Sequence, residues 1–94
     1  MEKNAKAKML VVDDHSLILD GICRIVNKIP EVLIADAVTS GKQAIELISQ
    51  RDYDIYLLDV SIPDVSGFDL ITQIREVNEQ ARIIINTCLL YTSP

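Results

Sequence analysis

Two short acidic signals in this chain have residue types and positions suited to chemistry. Asp13-Asp14 follow the apolar run Met9-Leu10-Val11-Val12, and Asp59 follows Ile55-Tyr56-Leu57-Leu58. Carboxylates gathered at one place repel one another and resist full ionisation unless a cation joins them. A hard divalent ion such as Mg²⁺ resolves that conflict, because it prefers oxygen ligands and uses one or two carboxylates together with water or phosphate oxygens. Such a site suits phosphoryl transfer, where the charge of the moving group must be neutralised. Asp59, alone at the end of its run, is the better nucleophile, while Asp13 and Asp14 suit metal holding. Thr87 could hydrogen-bond a phosphoryl oxygen. Each residue also has an ordinary role open to it: an Asp before a helix most often caps it, and Thr87 could be a plain strand residue. His15, the only histidine of the chain, is a weak ligand signal without a spaced partner. The doublet and the singlet together favour the functional reading.

The elements that must position these residues follow from hydrophobic period. Continuous apolar runs mark strands buried on both faces, as in a parallel sheet. They occur at Met9–Val12, Val32–Ala35 and Ile55–Leu58, and Arg82-Ile83-Ile84-Ile85 begins a fourth strand that reaches Thr87. Between them lie helical patterns. In the first, Ile18, Ile22, Ile25 and Ile29 recur on one face, Ser16 or Asp14 can cap the start, and Pro30 stops the helix. Ser40-Gly41-Lys42-Gln43 has the form of a capping box, opening a helix with Ala44, Ile45 and Ile48 inward. Gly67 opens a third, with Leu70, Ile71, Ile74 and Val77 at helical spacing. Alternating strands and helices predict an α/β fold with a parallel sheet and right-handed crossovers. Ligands of such sheets bind beyond the carboxyl ends of the strands. Asp13, Asp14, Asp59 and Thr87 all fall at those ends.

Composition sets bounds on the rest. Ninety-four residues fit one small domain, and a net charge of −5 argues against a nucleic-acid surface. Cys23 and Cys88 offer neither metal spacing nor a disulfide framework, and Cys23 reads as a buried small apolar residue. Tyr53 and Tyr56 read as packing residues. No apolar run approaches the length of a membrane span, and the charged Met1–Lys8 lead-in is no secretory signal, so the cytoplasm is expected.

At the acidic residues the chain resembles the receiver domain of bacterial two-component response regulators. The resemblance is carried by Val-Val-Asp-Asp-His at 11–15, by Leu-Leu-Asp-Val-Ser-Ile-Pro-Asp-Val-Ser-Gly at 57–67, and by Ile-Ile-Ile-Asn-Thr at 83–87. Asp-Asp-His with Asp20-Gly21 resembles the LuxR/NarL subfamily, which carries a C-terminal helix-turn-helix. The resemblance implies a flavodoxin-like, doubly wound sheet of order 2-1-3-4-5. It implies that Asp59 takes a phosphoryl group from a phosphohistidine on a sensor kinase. Asp13, Asp14, Asp59 and the backbone carbonyl of Ser61 would hold Mg²⁺, and Thr87 would be the switch hydroxyl. Leu17 and Ile18 lie where family members dock the kinase. The full-length protein would control transcription through a DNA-binding domain and could dimerise on phosphorylation. The receiver would be no enzyme in its own right.

The chain departs from the family after Thr87. The family continues with a helix, a lysine-bearing fifth strand and a fifth helix, whereas no Lys follows Lys42 here. About four strands and three helices of the usual five plus five are therefore expected. Residues 1–8 are expected as a lead-in and 9–87 as a truncated receiver. Cys88–Pro94, which reads like a translated sequencing adaptor, is expected to be a non-native tail, an idea that other codons at those positions would sink. Two other functions compete with this one. The first is a receiver that binds partners without being phosphorylated. The second is a Mg²⁺-dependent phosphohydrolase of the haloacid dehalogenase kind, which wants a second Asp where Ser61 stands.

Overall fold

Four parallel strands form one sheet in the order β2-β1-β3-β4. The computed structural model describes residues 6–59 and 62–86. In chain order the elements are β1 (Ala7–Val12), α1 (Ser16–Val26), β2 (Val32–Val38), α2 (Gly41–Gln50), β3 (Ile55–Asp59), α3 (Gly67–Val77) and β4 (Arg82–Asn86). The expected α/β class and the 2-1-3-4 part of the flavodoxin-like order are both present. β1 starts at Ala7, so the strand takes up the last two residues of the expected lead-in, and β2 runs on to Val38. Ser61, Thr87 and Cys88–Pro94 lie outside the described residues.

The strands form because β-branched and aliphatic residues fill both faces of a central sheet, and the two cores show this directly. On one face Leu10, Val12, Tyr56 and Leu58 pack with Ala44 and Ile48 of α2 and with Leu70 and Ile74 of α3. On the other, Met9 and Val11 pack with Val26 of α1, flanked by Leu19, Ile22, Val32, Ile34, Ile55 and Leu57. Full burial of each such side chain contributes about 1.5–3 kcal/mol. Tyr53 and Tyr56 are packing residues as expected, buried edge-to-face with centroids 5.5 Å apart. The Tyr53 hydroxyl donates to Asp36 Oδ2, so this large ring is buried with its polar tip satisfied.

The inward face of α1 differs from the expected stripe. Leu19, Ile22 and Val26 face the sheet, whereas Ile25 is 65% and Ile29 41% exposed. Apolar residues lie on both sides of α1, so period alone could not choose between two stripes. Neither Ser16 nor Asp14 caps α1: His15 occupies the N-cap position without a side-chain cap, and Ser16 is the first helical residue. The helix ends at Val26, four residues before Pro30. Cys23 is half-buried rather than buried, and desolvation pushes its thiol pKa up.

Ser40 caps α2 as the pattern implies, its Oγ accepting from Gln43 N–H at 3.2 Å, while the Gln43 side chain meets the Ser40 hydroxyl and not the Ser40 backbone N–H that completes a capping box. Ser66 does the same for α3, accepting from Phe68 N–H at 3.1 Å. The β1–β2 pairing carries one irregularity. Met9 lies opposite Ile34 but Leu10 opposite Asp36, so Ala35 is an extra residue in β2. Beyond it, Asp36 shares the face of Leu10, where the Tyr53 hydroxyl and Arg51 reach it.

Candidate functional site

β1 and β3 are neighbours and parallel, with Val12 opposite Leu58. Their next residues, Asp13 and Asp59, therefore leave the same edge of the sheet side by side. Both are almost fully buried, at 1% and 2% exposure. Asp14 is partly exposed beside them.

Local backbone geometry fixes this arrangement. The Asp13 N–H donates to Val38 O at 3.1 Å, holding the end of β1 against β2. Asp13 Oδ1 accepts the His15 N–H at 2.9 Å, a short side-chain turn of the kind Asp makes two residues on. That turn swings the His15 ring back over the carboxylates. Its Nδ1 lies 3.0 Å from Asp14 Oδ1, 3.2 Å from Asp13 Oδ1 and 3.7 Å from Asp59 Oδ2.

The electrostatics reflect crowded acids. Burial is the largest influence on Asp13 and raises its pKa. The Asp59 charge raises it further, while the hydrogen bonds from His15 oppose both. His15 is itself held above its ordinary value, first by its hydrogen bond to Asp13 and then by the Asp14 charge. Among the described residues Asp14 Oδ1 is shielded from solvent and meets no donor in good hydrogen-bond geometry, His15 Nδ1 lying at ion-pair distance. One donor atom from each of Asp13, Asp14, His15 and Asp59 lies within 4.8 Å of all the others. A buried, crowded group of carboxylate oxygens fits a small divalent cation, and these four residues could hold one.

Of the sequence candidates, Asp13, Asp14 and Asp59 come together. The Asp59–Asn86 register sets the ends of β3 and β4 side by side, and Thr87 and Ser61 lie outside the described residues. Leu17 stands 83% exposed near the start of α1. The sequence undervalued His15, whose only signal was its place beside the doublet. It missed Asp64 altogether. From the loop after β3, Asp64 Oδ1 accepts Gly41 N–H at 2.9 Å and Oδ2 accepts Lys42 N–H at 3.1 Å. Those backbone donors hold its carboxyl below its ordinary range. The Asp59 loop is thereby clamped to the N-terminus of α2, a favourable place for a negative charge. Gly41 permits the close approach: a Cβ there would lie 2.6 Å from Val65 Cβ.

Known proteins resemble this chain. The profile of the response regulator receiver domain matches residues 9–90. The nitrate/nitrite response regulator protein NarL of Escherichia coli (strain K12) is 28% identical over 85 residues, covering 90% of this chain and 39% of the relative. The transcriptional regulatory protein YdfI of Bacillus subtilis (strain 168) is 32% identical over 80 residues, covering 85% of this chain and 38% of the relative. The chain thus spans about two-fifths of the length of these relatives. Among solved structures, the signal receiver domain of NarL from Mycobacterium tuberculosis superposes with a TM-score of 0.78 at 27% identity, covering 86% of this chain and 65% of that one. Among the described residues no helix is long and apolar enough to cross a membrane. The matched profile, the parallel sheet and the aspartates at its carboxyl edge agree: the chain belongs to the response regulator receiver domain family, among relatives of the NarL/LuxR type.

Proposed function

We propose that Asp59 is the phospho-acceptor of this receiver, taking a phosphoryl group from the phosphohistidine of a sensor kinase. A carboxylate oxygen of Asp59 attacks phosphorus as the N–P bond breaks, and the imidazole of the kinase leaves with the bonding electron pair. The observation that carries the proposal is the convergence of Asp13, Asp14 and Asp59 from two adjacent parallel strands at one buried edge. Asp13, Asp14, Asp59 and the backbone carbonyl of Ser61 would hold Mg²⁺. Bound there, the ion supplies neutralisation of the charge that builds on the transferring group. The protein's own part is positional. Asp13 is fixed by Val38 and His15, and Asp59 is fixed by the β3 ladder, so the attacking oxygen is preorganised.

Thr87, one residue beyond Asn86, is the proposed switch hydroxyl. The chain itself accepts the phosphoryl group and signals with it, and turns over no other substrate. The names of the relatives, a nitrate/nitrite response regulator and a transcriptional regulatory protein, support an output in transcription. In this proposal a C-terminal DNA-binding domain carries that output, phosphorylation promotes dimerisation, and the protein works in the cytoplasm.

The test is direct phosphorylation with acetyl phosphate and Mg²⁺, followed by intact-protein mass. The expected product is a single phosphoryl adduct that is stable in neither acid nor alkali and is absent from Asp59→Asn. An adduct of the same lability in that variant refutes the assignment.

A further inference from the structure

We infer that His15 is a ligand of the metal site, supplying one nitrogen through Nδ1 to an otherwise all-oxygen set. This rests on reading the acidic cluster as the metal site of the proposed function, and it changes which ions that site prefers. The argument begins with distances. Donors bound at about 2.0–2.2 Å to one small divalent ion lie about 2.8–3.6 Å apart along the edges of an octahedron or tetrahedron. His15 Nδ1 lies 3.0, 3.2 and 3.7 Å from oxygens of Asp14, Asp13 and Asp59. The first two distances match neighbouring donors around one ion, and the third exceeds the range by about 0.1 Å.

The ring is held there by the backbone. The His15 N–H is tied to Asp13 Oδ1, and the residue is the N-cap of α1, with extended φ and ψ of −101° and 105°. Its side chain is 44% exposed, which leaves the rest of the ring open to water. Metal binding displaces the Nδ1 proton: an imidazolium gives it to solvent, and a neutral ring takes one up on Nε2 in exchange, so the ligand in either case is a neutral imidazole with its proton on Nε2. The Asp13 oxygen that accepted from Nδ1 then joins the same coordination sphere.

The consequence is selectivity. Mg²⁺ is a hard ion that gains little from an imidazole, whereas Mn²⁺ and the later first-row ions accept nitrogen readily. The site should therefore favour Mn²⁺ over Mg²⁺ more strongly than an all-oxygen site of the same acids.

The experiment uses the untagged chain loaded with Mn²⁺ and read by pulsed EPR. Because the chain has a single histidine, ¹⁴N modulation of the imidazole type has one possible source. The expected result is that modulation in the wild-type chain and its loss in His15→Ala and in His15→Phe, which keeps the bulk of a ring. The ratio of Mn²⁺ to Mg²⁺ affinity should fall about tenfold in both variants, the low end of what perturbing a ligand shell costs. No ¹⁴N modulation in wild type, no Mn²⁺ binding, or an unchanged ratio in the variants overturns the inference. Normal phosphorylation of Asp59 with no ¹⁴N signal would remove His15 as a ligand and leave the proposed function standing. A ¹⁴N signal without any phosphorylation would do the reverse.

Discussion

Replacing Gly41 by Ala should weaken the fold, although alanine is the better helix former. A Cβ at position 41 would lie 2.6 Å from both Val65 Cβ and Val65 Cγ2, and 3.1 Å from Asp64 Oδ1. Carbon atoms pack at about 3.5–4.0 Å, so α2 and the loop after β3 must part by roughly 1 Å. Val65 cannot swing aside cheaply, because the clash reaches its Cβ and the side chain packs on the core. The same separation would stretch the 2.9 and 3.1 Å bonds from Gly41 and Lys42 to Asp64 beyond useful range. Overpacking of this kind costs about 1–3 kcal/mol, which at about 4–8 °C per kcal/mol for a domain this small lowers Tm by roughly 5–20 °C. Gly21 is the control. It lies within α1, where an added Cβ would meet nothing inside 4 Å, so Ala there should gain about 0.5–1 kcal/mol of helix stability. No described residue has a positive φ, so neither exchange carries backbone strain. Thermal unfolding by circular dichroism, at matched concentration, reads both. If Gly41→Ala melts at or above the wild type while Gly21→Ala rises as expected, the clamp between Asp64 and α2 is not the close contact described.

Asp13→Asn should raise stability without metal, since it removes a buried charge crowded by Asp59 while its oxygen can still accept from His15. It should also abolish the Tm increase that Mg²⁺ gives the wild type; a Mg²⁺-induced increase that persists would argue against Asp13 as a ligand. Ile74→Ala, at a fully buried position of α3, should cost about 2–5 kcal/mol in urea unfolding. Asp64 has a folded pKa below its ordinary 3.8. Its contribution is therefore complete above the unfolded value and is lost as pH falls through about 4 towards the lower folded value. Asp64→Asn should flatten that acid limb in a series of melts, and an unchanged limb would count against the clamp.

Much of this molecule was legible because its strands are buried on both faces. Met9–Val12 and Ile55–Leu58 show as unbroken apolar runs, and the acid after each run marks the carboxyl edge without further information. The N-cap at Ser40 was equally plain, since its partner Gln43 lies three residues on. What escaped were relations between distant segments. Asp64 meets Gly41 across 23 residues, and nothing local to Pro63-Asp64 announces a helix N-terminus waiting there. The α1 stripe was misjudged because Ile25 and Ile29 keep helical spacing with Ile22 although the sheet lies under Leu19 and Val26. The place of His15 in the cluster was missed because its ring direction is set by one backbone turn, which residue type and spacing do not encode.

The extra residue in β2 has a consequence for how this sequence tolerates change. Deleting Ala35 would set Ile34 and Asp36 in regular succession opposite Met9 and Leu10, so Asp36 would keep Tyr53 and Arg51 and Val38 would keep its core. A deletion at Ala37 would differ: closing the bulge would then move Ala35 and Asp36 one place along β1 and turn Asp36 towards the apolar cluster beneath α1. Where a deletion falls in this short stretch thus decides which faces survive it. An alignment with a relative that places its gap away from position 35 would assign the wrong face to every residue between the two sites.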